Sequence, residues 1–281
     1  MIIDVHVHIC PPDVRFRREA YLPDEPEFAA IYENPKAKLV GATELIQTMD
    51  AQGVDQAVVF GFPWRTEDTF RLNNDYVLDS AARFPDRLIP FACFEATHAQ
   101  AAEETERCLQ LGARGIGELA FYSAGIDERA RKALIPLAKI CAEAGALISL
   151  HTNEPIGHTY PGKSPMTLAQ VYALLEATPN TRWILAHLGG GLPFYAFLKK
   201  EVRDVLNNVW FDTAAMPFLY RPQALKAMAE AVGLDKLLLG TDFPLLPPKR
   251  YYRELEVSGL DQNECSALLG QNADKLLEKG L

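Results

Sequence analysis

Six histidines stand at positions 6, 8, 98, 151, 158 and 187. Two of them share a short run, Asp4-Val5-His6-Val7-His8. Side chains alternate along a strand, so His6 and His8 lie on one face while Ile3, Val5, Val7 and Ile9 lie on the other. Two imidazoles one strand period apart can grip one metal ion. His151 closes the apolar run Ile148-Ser149-Leu150, and His187 closes Ile184-Leu185-Ala186. Carboxylates occupy equivalent places: Glu118 ends Gly115-Ile116-Gly117-Glu118, and Asp242 ends Leu239-Gly240-Thr241-Asp242. Four imidazoles with two carboxylates form a borderline-to-hard donor set, suited to Zn²⁺ or to Mn²⁺, Fe²⁺ and similar ions. Each residue alone is an ordinary buried polar group. Together, at the ends of five apolar runs, they point to a metal centre.

The elements that carry these residues repeat one beat. Strand-like runs fall near Ile2–Ile9, Val54–Gly61, Leu88–Phe94, Gly115–Leu119, Ala146–His151, Trp183–Leu188, Val209–Thr213 and Lys236–Thr241. Helical periods lie between most of them. The clearest runs from Asp127 to Ala144, with Ala130, Ala133, Leu134, Leu137, Ala138 and Cys141 on one stripe, Asp127 as its cap and Gly145 as its stop. Pro136 inside it predicts a kink. A second helix is expected from about Thr97 to Leu111. Eight β-then-α units are the arithmetic of a (β/α)8 TIM barrel, whose catalytic groups sit at the C-terminal strand ends. The chain 1–281 reads as a single such domain, distorted by an insertion after the first strand at about 10–40, over the barrel mouth. Gly189-Gly190-Gly191 resembles a phosphate loop only superficially, since no Lys-Ser/Thr follows it. Asp261–Leu281 is helical in pattern and is expected to close the barrel.

Composition narrows the partners. The 281 residues carry a formal charge of −9, and 48% are hydrophobic. With no Lys/Arg cluster of five or more and a negative balance, nucleic acid is not expected as the main partner. No apolar run reaches the ~18–20 residues of a membrane span, and Met1-Ile2-Ile3-Asp4 lacks the basic start of a secretory signal. Five scattered cysteines, with no CxxC, fit reduced thiols and a cytoplasmic location.

These motifs, in this order, resemble the amidohydrolase superfamily, and within it the amidohydrolase-2 branch that includes aminocarboxymuconate-semialdehyde decarboxylase-like enzymes. The resemblance runs from Asp4-Val5-His6-Val7-His8 through Asn74-Asp75, Phe84-Pro85-Asp86-Arg87-Leu88 and Gly115-Ile116-Gly117-Glu118. It continues through His151-Thr152, Ala186-His187-Leu188-Gly189-Gly190 and Leu239-Gly240-Thr241-Asp242-Phe243-Pro244 to Asn272-Ala273. It implies a divalent metal, zinc foremost with manganese or iron as alternatives, in one or two copies. His6, His8 and His151 resemble the primary ligands. Asp242 resembles the aspartate that touches the metal and takes a proton from bound water. His187 matches a histidine that polarises substrate, moves a proton or binds a second ion. Glu118 departs from the decarboxylase-like pattern and makes a second ion possible. His6 is retained where several aromatic-acid decarboxylases of the branch carry glutamate.

The pocket is less legible. Trp64 and Arg65 follow the second strand; Trp64 is expected to stack on a planar substrate and Arg65 to pair with its carboxylate. His158, in the loop after the fifth strand, is a further substrate-binding residue, and Asp212 is a partner for a histidine. His98 reads as a surface residue. Cys10 has no base beside it, and no nucleophile elbow G-x-S-x-G exists. The leading expectation is hydrolysis of an amide, ester or lactone in a small, carboxylated metabolite by metal-activated water. The alternative is non-oxidative decarboxylation or hydration of an unsaturated or aromatic acid, and a third is a metal-binding protein without turnover. A homodimer through the insertion is a further expectation.

Overall fold

The computed structural model describes residues 1–198 and 200–278. Eight parallel strands follow one another around a barrel in chain order. They are β1 (Ile3–His8), β2 (Gln56–Phe60), β3 (Leu88–Ala92), β4 (Gly115–Leu119), β5 (Leu147–Leu150), β6 (Arg182–Leu185), β7 (Val209–Asp212) and β8 (Leu237–Leu238). The (β/α)8 expectation therefore holds. β8 is much shorter than its apolar run. The chain beyond Leu238 leaves β7 and bonds to β1 instead: Val5 N–H donates to Leu239 O at 2.8 Å and His8 N–H to Phe243 O at 2.8 Å. That seam closes the barrel and brings Asp242 beside the histidines.

Strict alternation on β1 fails. The β1–β2 register shifts between Asp4 and Val7, a β-bulge. Ile3 and Val5 join the interior cluster of Val58, Phe60, Phe91 and Ile184. Val7 and Ile9 pack outward against Ala42, Leu45 and Met49 of the helix Ala42–Gln52. The extra residue keeps His6 and His8 inward above an apolar plug. β4 shifts register in the same way between Ile116 and Leu119, around Glu118. A bulge re-aims side chains, and both lie at candidate metal donors.

The helix Glu128–Glu143 begins at Asp127, whose Oδ1 accepts from Ala130 N–H at 2.8 Å. It continues through Pro136, which sits on the solvent side. The helix after β3 starts later than expected, at Ala101. Near the C-terminus, Gln262–Ser266 and Asn272–Glu278 flank a π turn, and Leu276 and Ala273 seal the foot of the barrel. The expected helix end at 279–281 lies outside the described residues. Asn272 Nδ2 fixes this segment by donating to Leu234 O (2.8 Å) and Leu237 O (2.9 Å).

The insertion folds into short helices, Pro12–Phe16 and Pro26–Tyr32 among them. It is pinned at several points. Glu25 Oε2 accepts from Arg65 N–H at 2.7 Å and Oε1 from Thr66 N–H at 3.0 Å. Arg18 donates to the carbonyls of Tyr32, Asn34 and Ala37. Phe28, fully buried, packs on Trp64 at 4.5 Å between ring centroids. No helix among the described residues is long and apolar enough to cross a membrane.

Candidate metal centre and active-site cavity

The C-terminal strand ends converge on one acidic, histidine-rich floor. Glu118 divides it into two groups of donors. Its Oε2 lies 3.6 Å from His6 Nε2 and 3.8 Å from His8 Nε2. Asp242 Oδ1 joins that side, 3.4 Å from His8 Nε2 and 3.8 Å from His6 Nε2. Glu118 Oε1 faces the other way, 3.0 Å from His151 Nδ1 and 3.2 Å from His187 Nε2. Of the ligands expected from sequence, His6 and His8 stand with Glu118 and Asp242, and His151 stands with Glu118 and with His187 at 3.1 Å. His151 Nε2 is buried without a hydrogen-bond partner among the described residues.

The first group fits a metal ion. His6 Nε2 is buried and has no hydrogen-bond partner among the described residues. Its distances to the carboxylates are too long for hydrogen bonds. At 3.6 and 3.8 Å they lie at and just above the ~3.3–3.6 Å edges of a tetrahedron whose corners lie ~2.0–2.2 Å from a central ion. The imidazoles are set for the task from behind. His6 Nδ1 meets Asp212 Oδ2 at 3.0 Å, and His8 Nδ1 meets Gly61 O at 2.9 Å. With Nδ1 as donor in each, the Nε2 lone pair faces the centre. Asp212 is held in turn, its Oδ1 accepting from Ala214 N–H (2.9 Å) and His187 N–H (3.2 Å). Asp212 is thus the histidine partner expected from sequence.

The field of these carboxylates is strong. Burial alone would lower the His6 imidazole, but the charges of Asp212 and Glu118 carry it up to about 10. Burial likewise works against charge on His187, yet Glu118 beside it raises it to about 9. Burial would raise Glu118, but His6 and His151 hold it well below the usual carboxylate range. Burial opposes ionisation of Asp242 as well, and hydrogen bonding to His8 together with the charge of His6 brings it down to about 2. A centre that collects positive charge this strongly is one that a divalent cation would neutralise.

Backbone strain marks the same residues. His187 has φ 56° and Asp242 φ 58°, left-handed values that cost on the order of 1–3 kcal/mol each outside glycine. His187 opens a left-handed run through Gly191. A Cβ on Gly190 would lie 2.3 Å from Asn153 O, so this glycine serves close packing rather than a phosphate.

Above the floor lies a cavity of about 530 Å³. Tyr32 and Ile31 from the insertion, Phe62, Tyr122, Phe218 and Leu219 form largely apolar walls, and Lys38, His158 and Tyr160 stand toward the mouth. His158 lines it as expected. Trp64 and Arg65 do not. Trp64 is fully buried, with its indole N–H donated to Asn73 Oδ1 at 2.8 Å. It anchors the insertion and has no face for a substrate. Arg65 is exposed outside the cavity. His98 is half-buried against Phe70, away from the floor. Sequence reasoning passed over Tyr32 and Tyr122. The only signal was position, since Tyr122 lies just past Glu118 and Tyr32 lies in the insertion.

Fold and floor together define a barrel with a candidate divalent-metal site at its C-terminal rim. Residues 3–279 match the amidohydrolase family profile, and the chain belongs to that family. It is 24% identical over 228 residues to a 2-amino-3-carboxymuconate-6-semialdehyde decarboxylase of Dictyostelium discoideum, covering 66% of this chain and 60% of that protein. It is 25% identical over 170 residues to a 6-methylsalicylic acid decarboxylase of Penicillium expansum, covering 50% of this chain and 51% of that protein. The matches thus span about half to three-fifths of these relatives' lengths. The fold is similar to that of a dihydroxybenzoic acid decarboxylase from Polaromonas sp. JS666, solved with manganese and 2-nitroresorcinol. The TM-score is 0.72 at 17% identity, over 99% of this chain and 96% of that one.

Proposed function

We propose that this chain is a divalent-metal-dependent, non-oxidative decarboxylase of a small aromatic or unsaturated carboxylic acid. The observation that carries the reading is the cavity itself: flat apolar and aromatic walls over a floor of ionised carboxylates and imidazoles. Both curated relatives bear decarboxylase names, which favours this alternative over the hydrolysis expected first. Manganese in the Polaromonas structure supports a divalent ion and moves the emphasis away from zinc.

His6, His8, Glu118 and Asp242 would hold the ion. When bound, it supplies Lewis acidity toward oxygen atoms of the substrate. Phe62 and Tyr122, nearly parallel at 18° with centroids 6.0 Å apart, form a wall against which a planar ring can lie. The reaction breaks one C–C bond, forms one C–H bond and releases CO₂, so it consumes one proton. His187 is placed to deliver it. Its Nδ1 is fixed on Ala214 O at 2.9 Å, which turns Nε2 into the cavity. Asp242, ionised beside His8, stays an acceptor and a ligand. Glu118 favours a second reading of the centre alone, because it offers one oxygen to each donor group. In that reading His151 and His187 would hold a second ion.

Turnover of hydroxybenzoic acids in deuterated water by the manganese-loaded protein tests the proposal. The expected product carries one deuterium at the carbon that bore the carboxylate. Unchanged acids across the panel, with water consumed on esters or lactones instead, would return the hydrolase reading.

A further inference from the structure

The floor accounts for the metal but not for the substrate's own charge. Glu118 and Asp242 line the cavity and would repel a carboxylate wherever the ion does not shield it. Hydrogen-bond donors on the walls would hold carboxylate oxygens that the ion does not reach. Tyr160 is already committed, its hydroxyl donating to Glu154 Oε2 at 2.8 Å. Lys38 and His158 are exposed at the mouth. Besides the imidazoles of the floor, two phenols on the walls remain. Tyr32 and Tyr122 line the cavity, are half-buried, and make no side-chain hydrogen bond among the described residues. Their rings are held by packing alone. Tyr32 stacks on Phe28 with centroids 4.8 Å apart, and Tyr122 lies against Phe62 at 6.0 Å and His151 at 5.0 Å. A phenol held by its ring, with a free hydroxyl in a substrate cavity, is a preset donor with little rotamer freedom to lose.

We infer that Tyr32 and Tyr122 form a paired-hydroxyl subsite that binds the substrate's carboxylate. The inference rests on the aromatic-acid reading and deepens it. Tyr122 follows β4 and belongs to the barrel, whereas Tyr32 belongs to the insertion. The insertion thereby becomes part of the specificity machinery. Uncharged donors suit a carboxylate that must leave as CO₂, because they orient the anion without the strong ground-state stabilisation of an arginine pair.

The test is calorimetric binding to manganese-loaded protein. The probes are 2,6-dihydroxybenzoate and resorcinol, the same ring without the carboxylate. Tyr32→Phe and Tyr122→Phe keep the rings and remove only the hydroxyls. Each variant is expected to weaken 2,6-dihydroxybenzoate by about ten- to hundredfold, the worth of a hydrogen bond to a charged group. Resorcinol affinity, metal content and melting temperature should not change. Tight wild-type binding of the acid that both variants retain overturns the subsite and leaves the decarboxylase reading standing. Equal weakening of both probes also overturns it, since that is a packing effect. Failure of the wild type to bind the acid at all removes the aromatic-acid reading and the subsite with it.

Discussion

Replacing Asp212 by asparagine exchanges one oxygen for an amide nitrogen where both oxygens are in use. Oδ2 meets His6 Nδ1 at 3.0 Å, and Oδ1 accepts from His187 N–H at 3.2 Å and Ala214 N–H at 2.9 Å. If the amide oxygen stays on the two backbone N–H groups, the NH₂ faces His6 Nδ1. The ring must then accept there and carry its proton on Nε2, the atom turned toward Glu118 and Asp242. If the amide is reversed, its NH₂ faces two backbone donors. Both arrangements spoil the lone pair offered to the metal or leave buried donors unpaired. Loss of such a supporting carboxylate costs about ten- to hundredfold in metal affinity, or about 1.4–2.8 kcal/mol. Competition with a chromophoric chelator, using Mn²⁺ on wild type and Asp212→Asn, measures it directly. A folded variant with wild-type affinity would refute the argument that Asp212 sets the His6 tautomer.

Other consequences follow from the same contacts. In Glu118→Gln, elemental analysis should show a metal content below the wild-type value of about one ion per chain; two ions falling to one would establish the two-ion reading instead. Trp64→Phe leaves Asn73 Oδ1 without its indole donor and should lower stability by about 1–3 kcal/mol in urea unfolding, while KM stays unchanged. Arg65→Ala, at an exposed site outside the cavity, should leave KM unchanged as well, and a raised KM would return it to the pocket. Glu104 is buried, and although burial opposes its charge, hydrogen bonds from Arg107 and Asn74 hold its carboxyl below the ordinary value. A depressed carboxylate stabilises the fold above its unfolded pKa and loses that contribution as pH falls through its folded value. Melting temperature should therefore drop more steeply on acidification below about pH 4.3 in wild type than in Glu104→Gln.

The eight strands were readable because each is a short apolar run, and five of them are ended by a histidine or a carboxylate. The metal-type donors were readable for the same reason, since they stand where those runs stop. The bulges in β1 and β4 were not, because a register shift depends on the neighbouring strand and leaves no mark on alternation. Without them, Val5 and His6 cannot both face inward. Glu118, inside the β4 shift, stands with His6 and His8 and also with His151 and His187. The end of β8 was overrun because the apolar run through Leu239 leads into Gly240-Thr241 with no mark in the sequence of where the chain leaves β7 for β1. Trp64 was misread because an aromatic beside a mouth loop looks the same in sequence whether it faces a ligand or anchors an insertion; only Phe28 and Asn73 decide between them. Asn74 belonged to the family phrase, and its role is structural: it donates to Glu104 Oε1 and accepts from Cys93 N–H, both at 2.8 Å.

The central claim is metal-dependent loss of CO₂. Protein stripped of metal is divided, one half is reloaded with Mn²⁺, and both receive 2,6-dihydroxybenzoate and related hydroxybenzoic acids labelled with ¹³C in the carboxyl group. The account predicts labelled CO₂ from the reloaded half on at least one acid and none from the stripped half. Release that does not depend on the metal, or no release from any acid by fully loaded protein, would contradict it.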